Sequence, residues 1–170
     1  MVEMALVLPW LLLLILGIID FGKAINYWID NTHLANEGAR MAAVNNNPAS
    51  RLECSNAAGS TLQDYIRQQA VTVEQRGCRK GTQQTAHDTK VSICFYKASD
   101  GTSTNSPTVG DTVEVIVTYQ YDWMPFLTSR QWGGLGPRTT ITGKSAMRLE
   151  AVPTKYSSSD NTGGTCPLTA

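Results

Sequence analysis

The chain has 170 residues, and its 14 lysines and arginines balance its 14 aspartates and glutamates. A net formal charge of zero leaves no basic footprint for a phosphate backbone, so no nucleic-acid partner is expected. The length favours one apolar segment followed by one domain of ordinary size over two full domains.

The N-terminal segment 4–19 contains no charged residue and is apolar on every side of a helix. Such a helix is about 24 Å long, slightly less than the ~30 Å hydrocarbon core of a bilayer. We expect it in lipid or in a bundle of identical helices. The helical pattern continues beyond Asp20 with one apolar stripe, which is expected to pack on a globular head. The stripe consists of Phe21, Ile25, Trp28, Ala35, Ala39 and Ala42.

The long helix is predicted to end near Val44, because three asparagines and Pro48 follow. The residue before a proline is biased out of the helical region. The predicted organisation is therefore a helix over 1–46 and a globular head over 47–170. Within the helix, 1–20 would lie in the membrane or filament core and 21–46 on the head.

Four residues of the first half are candidates for a role in assembly: Glu3, Pro9, Gly17 and Asp20. Glu3 needs a cation if it loses water, and the best partner is a free α-amine of its own or a neighbouring chain. Pro9 cannot donate a backbone hydrogen bond, so it is expected to kink or loosen the helix. Gly17 permits close helix approach, and Asp20 can pair with Lys23 in solvent or between subunits.

A secretory signal peptide is the rival interpretation of this start. It would need a charged region before the apolar run and a small-residue cleavage site after it. Asp20 and Phe21 follow the run instead, and the amphipathic pattern continues without a break. The single long helix is therefore favoured.

Three runs in the long helix resemble the N-terminal signature of TadE/TadG-like pilins, which belong to the wider type IV pilin group. They are VEMALVLP at 2–9, GIIDFGKA at 17–24 and NEGARMAA at 36–43. The runs 113–119 and 144–148 are similar to the family's C-terminal strands, more weakly. In that family a glutamate five residues after the cleavage point assists assembly. Glu3 matches it by motif, although it is third in this sequence.

The resemblance implies a structural subunit with a specific life history. A prepilin peptidase cuts the precursor, which waits in inner-membrane lipid until the pilus assembly machinery extracts it into an extracellular helical filament of identical subunits. Adhesion or surface attachment is the expected use of such a pilus. Two alternatives stay open: a minor tip or initiation pseudopilin, and a monomeric membrane-anchored binding module.

A second helix is predicted after the loop 50–59. The segment 60–63 has a capping-box pattern, and Gly77 is a helix-ending glycine, although the β-branched run 71–73 favours an earlier end. The predicted buried face consists of Leu62, Tyr65, Ile66, Ala70 and Val73.

Three strands are predicted in the second half of the chain. Apolar residues alternate at 91–95 and again at 113–121, which indicates strands with one buried face. A third strand over 139–150 has Ile141, Met147 and Leu149 on one face. An antiparallel sheet with one apolar face needs a cover, and the long helix can supply it. The fold class is therefore α+β, with a long N-terminal helix packed on a small antiparallel sheet, as in type IV pilins.

All four cysteines, Cys54, Cys78, Cys94 and Cys166, follow the apolar helix. They form no CxxC pair and have no nearby histidine, so two disulfides are favoured over a zinc site. The pairing preferred here is Cys54–Cys78 and Cys94–Cys166, with Cys94 on the outer face of the sheet. The two other connectivities remain open.

The segment 122–137 concentrates large apolar residues between two predicted strands, among them Trp123, Phe126 and Trp132. If exposed, these residues would contact a neighbouring subunit, a surface or a sugar. If buried, they would form a satellite core under the sheet. Core and subunit interface are equally compatible with the sequence, and ligand recognition is less favoured.

Catalytic or cofactor-binding patterns are poor in this sequence. Neither His33 nor His87 has a nucleophile or a second ligand at useful spacing, and the glycines at 133–136 lack the context of a phosphate-binding loop. We therefore expect no enzyme activity, no cofactor and no metal.

Overall fold

The structure is a computed structural model, and it describes residues 2–48, 61–77, 89–123, 138–156 and 166. In these ranges a long helix is followed by two short helices and three strands. In chain order the elements are α1 (Val2–Ala43), α2 (Leu62–Gln68), α3 (Val73–Arg76), β1 (Thr89–Tyr96), β2 (Thr112–Asp122) and β3 (Arg138–Arg148). This arrangement confirms the predicted α+β class.

Helix α1 ends at Ala43, one residue before the predicted end near Val44. At 1.5 Å per residue it is about 63 Å long, and its helical assignment continues through Pro9. Asn45 adopts a left-handed backbone with φ 53°, and Asn46 N–H binds the Met41 carbonyl at 2.9 Å. The helix therefore ends in a left-handed cap supplied by an asparagine. The Ala43 carbonyl accepts the backbone N–H of Glu150 at 2.9 Å, which ties this end to the chain after β3.

The described strands form one antiparallel meander in the order β1-β2-β3. Val115 of β2 lies opposite Ile93 of β1 and Ser145 of β3, so the odd-numbered residues of all three strands share a face. On β2 this face is buried along its whole length, as the alternation predicts. Its residues are Val113, Val115, Val117, Tyr119 and Tyr121.

The second half of α1 covers the sheet, and the predicted face is correct at Ala35, Ala39 and Ala42, which are fully buried, but not before them. Phe21, Ile25 and Trp28 are 58%, 43% and 56% exposed, so this part of the predicted stripe was wrong. The packing face recurs every three or four residues and, apart from Leu34, consists of small or polar side chains. Its buried members are Asp20, Ala24, Tyr27, Asn31, Leu34, Ala35, Ala39 and Ala42.

A glycine in β3 allows the backbone of α1 to approach the sheet so closely that no larger residue would fit. A Cβ atom on Gly143 of β3 would lie 2.5 Å from the Asn31 carbonyl oxygen and 2.6 Å from the Thr32 nitrogen, both in the α1 backbone. Asn31 Nδ2 also donates to the Ile141 carbonyl of β3 at 3.1 Å. Helix and strand are therefore in direct backbone contact at this level.

The predicted second helix is divided into α2 and α3. Helix α2 ends at Gln68, before the β-branched run 71–73 that favoured an early end, and Gly77 ends α3 in a left-handed conformation. Thr72 caps the second piece, because its Oγ1 accepts the backbone N–H of Gln75 at 3.3 Å. Between the pieces, the Val71 N–H donates to the Asp30 carboxylate of α1 at 3.2 Å. A side chain of α1 thus satisfies a donor that would otherwise need an intrahelical partner.

The break changes which side chains face the core. Leu62, Ile66 and Ala70 are buried and Tyr65 is partly buried, as predicted. Val73 is 50% exposed instead, because it begins a new helix and no longer continues the phase of α2.

A disulfide joins Cys94 of β1 to Cys166, with a Cα–Cα distance of 5.6 Å. This is the pairing preferred from the sequence. Cys94 lies opposite Glu114 in the even-numbered register, which is the sheet face turned away from α1. The bond therefore fixes Cys166 on the outer face of the sheet. Cys54 and Cys78 lie outside the described residues.

Candidate functional site

The first half of α1 projects from the head without cover. Large apolar residues along it are about half to three-quarters exposed, from 48% at Ile15 to 73% at Met4. Only 6% of the most apolar stretch of this helix is buried inside the protein. The helix is long enough and apolar enough to cross a membrane.

Exposure of this segment to water would be very unfavourable. Burying one large aliphatic or aromatic side chain contributes roughly 1.5–3 kcal/mol, so a segment with about ten of them represents on the order of 20 kcal/mol. A whole domain is typically stable by only about 5–15 kcal/mol. The segment therefore requires lipid or other protein around it.

Asp20 marks the point at which the projecting helix meets the head. Its side chain is 7% exposed, and Tyr121 Oη donates to Asp20 Oδ1 at 2.5 Å and to the Asp20 carbonyl at 3.1 Å. Burial, and then the hydrogen bond to Asp20, raise the pKa of Tyr121 well above its usual value. The phenol therefore stays protonated and keeps its role as donor.

An aromatic cluster surrounds this contact, which we call the junction cluster: Tyr27, Tyr119, Tyr121 and Trp123. The ring of Tyr27 lies 5.0 Å from that of Tyr119 and 5.5 Å from that of Tyr121. Trp123 meets Tyr121 edge-on at 5.2 Å, and its indole N–H donates to Thr139 Oγ1 at 2.7 Å. Such ring pairs contribute about 0.5–1.5 kcal/mol each beyond their area burial.

Helix α3 is held against α1 just above the junction cluster. Tyr27 Oη donates to Glu74 Oε2 at 2.6 Å, and Gln75 Nε2 donates to Asn31 Oδ1 at 3.1 Å. Asn31 and Gln75 are both fully buried, and each satisfies the other. The head is therefore fixed to α1 by polar contacts over several turns, not only by the apolar core.

The other side of α1 carries an apolar surface at the same level, which we call the lateral ridge: Phe21, Ile25, Trp28 and Ile29. These side chains are between 43% and 58% exposed. A shallow groove of about 380 Å³ separates the ridge from β3, and Trp123 lies at its edge. Within the part of the chain that the structure describes, the ridge is thus an apolar surface without a partner.

Comparison with known proteins bears on this helix. Residues 1–40 match the family of TadE-like proteins. The N-terminal helix of this chain is TadE-like. The match confirms the family resemblance seen in the sequence and covers the projecting segment, Asp20 and most of the head-packed half. No curated protein and no solved structure matches the chain.

The residues predicted to act in assembly all lie on the TadE-like helix. Glu3 belongs to its first turn, Pro9 lies within the projecting segment, and Gly17 is partly exposed one turn before the junction. Asp20, by contrast, accepts a hydrogen bond from Tyr121 of its own head. The structure therefore gives Asp20 a place in the junction that the sequence did not indicate.

The aromatic segment after β2 is described at its first residues only. Trp123 is partly buried in the junction cluster, which corresponds to the satellite-core interpretation. Phe126 and Trp132 lie outside the described residues. Among the described residues, no cluster of three or more His, Cys, Asp or Glu side chains could hold a metal ion.

The main contributors to the junction that sequence reasoning missed are Tyr27 and Asn31. The alternation of β2 predicted that Tyr121 is buried, but not its contact with Asp20. Tyr27 and Asn31 each hydrogen-bond a polar partner, Glu74 and Gln75 respectively, and hydropathy does not predict the burial of such residues. A signal was nevertheless present: Ala24, Tyr27 and Asn31 share one helical face with Leu34.

Proposed function

We propose that the chain is a structural pilin subunit that polymerises through its TadE-like helix into an extracellular Tad-type filament used in surface attachment. Before assembly the same helix would anchor the subunit in the inner membrane. The exposed segment of α1 carries this proposal. It is apolar on every side, and it projects from a head that already has its own core.

Polymerisation replaces lipid by helices of neighbouring subunits around the segment 4–19. Since both surroundings are apolar, specificity would come from packing and from the few polar groups on the helix. Glu3 is the best candidate, because its carboxylate is costly to bury without a cation. The α-amine of an adjacent subunit would supply that cation during assembly.

A rigid connection between rod and head suits a subunit of this kind. The hydrogen bond from Tyr121 to Asp20 and the contact of α3 with α1 hold the head on the helix. A filament built from such subunits would place each head at a fixed position outside its helical core. A flexible tether between helix and head would leave the position of each head undefined.

Site-specific cross-linking tests the polymer directly. A photoreactive residue at Leu12, in the middle of the projecting segment, should give a ladder of oligomers in cells that express the full chain. The matched control is the same group at Val109, which is 60% exposed on the head. Monomers alone from the Leu12 variant would overturn polymerisation and favour a membrane-anchored binding module.

Glu3→Ala tests the proposed assembly contact. We expect a large loss of filaments in negative-stain images of sheared surface material, with the disulfide between Cys94 and Cys166 still formed. Glu37→Ala is the control, because it removes the same charge from the head-packed half of α1. Normal filaments from the Glu3 variant would rule out the role of this carboxylate.

A further inference from the structure

We propose that the base of the head is seated in the lipid interface of the bilayer before assembly. The contact surface would be the lateral ridge together with Trp123. This inference rests on the membrane-anchored stage of the proposed function, and it holds whether or not the subunit later forms filaments. Lipid is the occupant to which the length, the side chains and the charges of this region all point.

The length of the uncharged segment is the first reason. Residues 4–19 form about 24 Å of helix, whereas a hydrocarbon core is about 30 Å thick. The deficit of about 6 Å corresponds to roughly four further residues. Supplied at the head side, they would bring the bilayer past Asp20 to the level of Ala24.

The exposed face of α1 continues apolar through this level. Ile18 of the projecting segment is followed by Phe21, Ile25 and Trp28, at spacings of three, four and three residues. These positions lie on one side of a helix, and all four side chains are at least 43% exposed. The lipid-facing surface thus runs without interruption from the span to the ridge.

The charges that the structure describes at this depth are already accommodated. The Asp20 carboxylate is turned toward the head, where Tyr121 donates to it at 2.5 Å. Lys23 is exposed, and its long side chain can reach the headgroups while its stem stays in apolar surroundings. Asp122 and Arg138, at the ends of β2 and β3, neutralise each other at 2.6 Å. No unpaired carboxylate of this group has to enter lipid.

The side chains are those that membrane interfaces favour. Trp28 and Trp123 both border the groove beside β3, so two indoles lie at the level where the bilayer would end. Tryptophan is enriched at this boundary because its ring is apolar and its N–H is polar. Close contacts between membrane helices favour small residues instead. A ridge built from Phe, Ile and Trp is therefore better suited to lipid than to a second copy of α1.

Tryptophan quenching in vesicles tests the seat. A variant that retains Trp28 alone, with the other three tryptophans replaced by Phe, is reconstituted at high lipid excess in phosphatidylcholine and phosphatidylglycerol. We expect its fluorescence to be quenched most by lipids brominated near the headgroup end of the chain. Aqueous iodide should quench it several-fold less than a control variant whose single Trp replaces Val109, far from the junction.

A second position keeps the test decisive if one variant folds poorly. Ile25→Trp, in a background without other tryptophans, should show the same protection, and formation of the disulfide between Cys94 and Cys166 reports that each head has folded. Iodide quenching at both ridge positions equal to that at residue 109 would overturn the seat. Protection that appears only at high protein-to-lipid ratio would also overturn it, because a second copy would then cover the ridge.

The result is separable from the test of polymerisation. Loss of filaments in the Glu3→Ala variant, or monomers from cross-linking at Leu12, would leave the quenching pattern unchanged if the seat is correct. Conversely, normal filaments from subunits whose Trp28 is open to iodide in vesicles would reject the seat and leave the polymer intact.

Discussion

The contact of Gly143 with α1 gives a sharp prediction about the stability of the head. In a Gly143→Ala variant the new methyl group would lie 2.5 Å from the Asn31 carbonyl oxygen and 2.6 Å from the Thr32 nitrogen. Ordinary Cβ contacts are longer than 3.0 Å. Because both atoms belong to the backbone of a helix, no side chain can turn aside. The helix must move away from β3.

The magnitude follows from two losses. Overpacking of a well-packed interface costs about 1–3 kcal/mol, and a backbone obstacle places this site near ~3 kcal/mol. Displacement of α1 also weakens the hydrogen bond from Asn31 to the Ile141 carbonyl, which contributes about 1 kcal/mol. The free energy of unfolding of the head should therefore fall by about 4 kcal/mol. With a urea dependence of ~2 kcal/mol per M, the midpoint should fall by about 2 M.

The assay is urea unfolding of the full chain in detergent, followed by near-ultraviolet circular dichroism of the junction cluster. Two further glycines of α1 provide matched controls. A Cβ on Gly22 meets nothing within 4 Å, so Gly22→Ala should stabilise the helix by up to about 1 kcal/mol. A Cβ on Gly38 would lie 2.6 Å from the flexible end of Ile66, so Gly38→Ala should be intermediate. Equal midpoints for the Gly143 and Gly22 variants would refute the reasoning.

Three other predictions concern the junction and the sheet. Tyr121→Phe removes the donor to a buried carboxylate and should reduce the stability of the head by about 2 kcal/mol in the same urea assay. Cys94→Ser opens the disulfide to Cys166, which spans 72 residues, and should cost about 4 kcal/mol by loop entropy, measured against the oxidised chain. Burial and the nearby Glu114 raise the pKa of Tyr96 to about 12, so its contribution to stability should be complete below pH ~10 and decrease from there toward pH ~12, as followed by tyrosinate absorbance and unfolding.

Controls for these variants come from the same head. Tyr156→Phe removes a hydroxyl that donates to the neutral Ala42 carbonyl, so it should cost about 1 kcal/mol, less than Tyr121→Phe. A reversed order would contradict the assigned role of Asp20. For the disulfide, Cys166→Ser should reproduce the loss seen in Cys94→Ser, because it opens the same bond from the other end. For Tyr96, a Tyr96→Phe variant should lose less stability than wild type between pH ~10 and ~12.

The periodicity of apolar residues was sufficient to predict an element where its buried positions are apolar and its exposed positions are polar. In β2, valines and tyrosines alternate with polar residues, and the buried face follows that alternation from Val113 to Tyr121. The end of α1 was likewise predictable, because asparagines follow Val44 and disfavour a helix, and because Pro48 restricts the residue before it. The partner of Cys94 was preferred correctly from the sequence, although two other connectivities were open.

The same reasoning succeeded on α1 from Ala35 onward but failed between Asp20 and Asn31 for a physical reason. Two faces of this helix have a helical period, and hydropathy selects the one with Phe21, Ile25 and Trp28. The head instead packs on the face with Ala24, where a small side chain allows close approach. It also tolerates Asn31, because hydrogen bonds compensate its burial.

The sequence also contains a signal for the break between α2 and α3, but the apolar pattern of the segment obscured it. Thr72 and Gln75 have the spacing of a capping box, which predicts a new helix start at this point. The apolar pattern from Leu62 onward concealed it, because Val73 falls on the extended buried face. A helix cap depends on hydrogen bonds of polar side chains, so the periodicity of apolar residues alone does not detect it.

The side-by-side arrangement of α1 and the sheet has a mechanical consequence. Contacts begin at Asp20, where Tyr121 is bound, and end at Ala43, where Glu150 is bound, over about 35 Å of helix axis. A force along the axis of α1 therefore loads these contacts in shear, so that all of them must break at the same time. Traction that lifted the head off sideways would instead break them one after another, at far lower force.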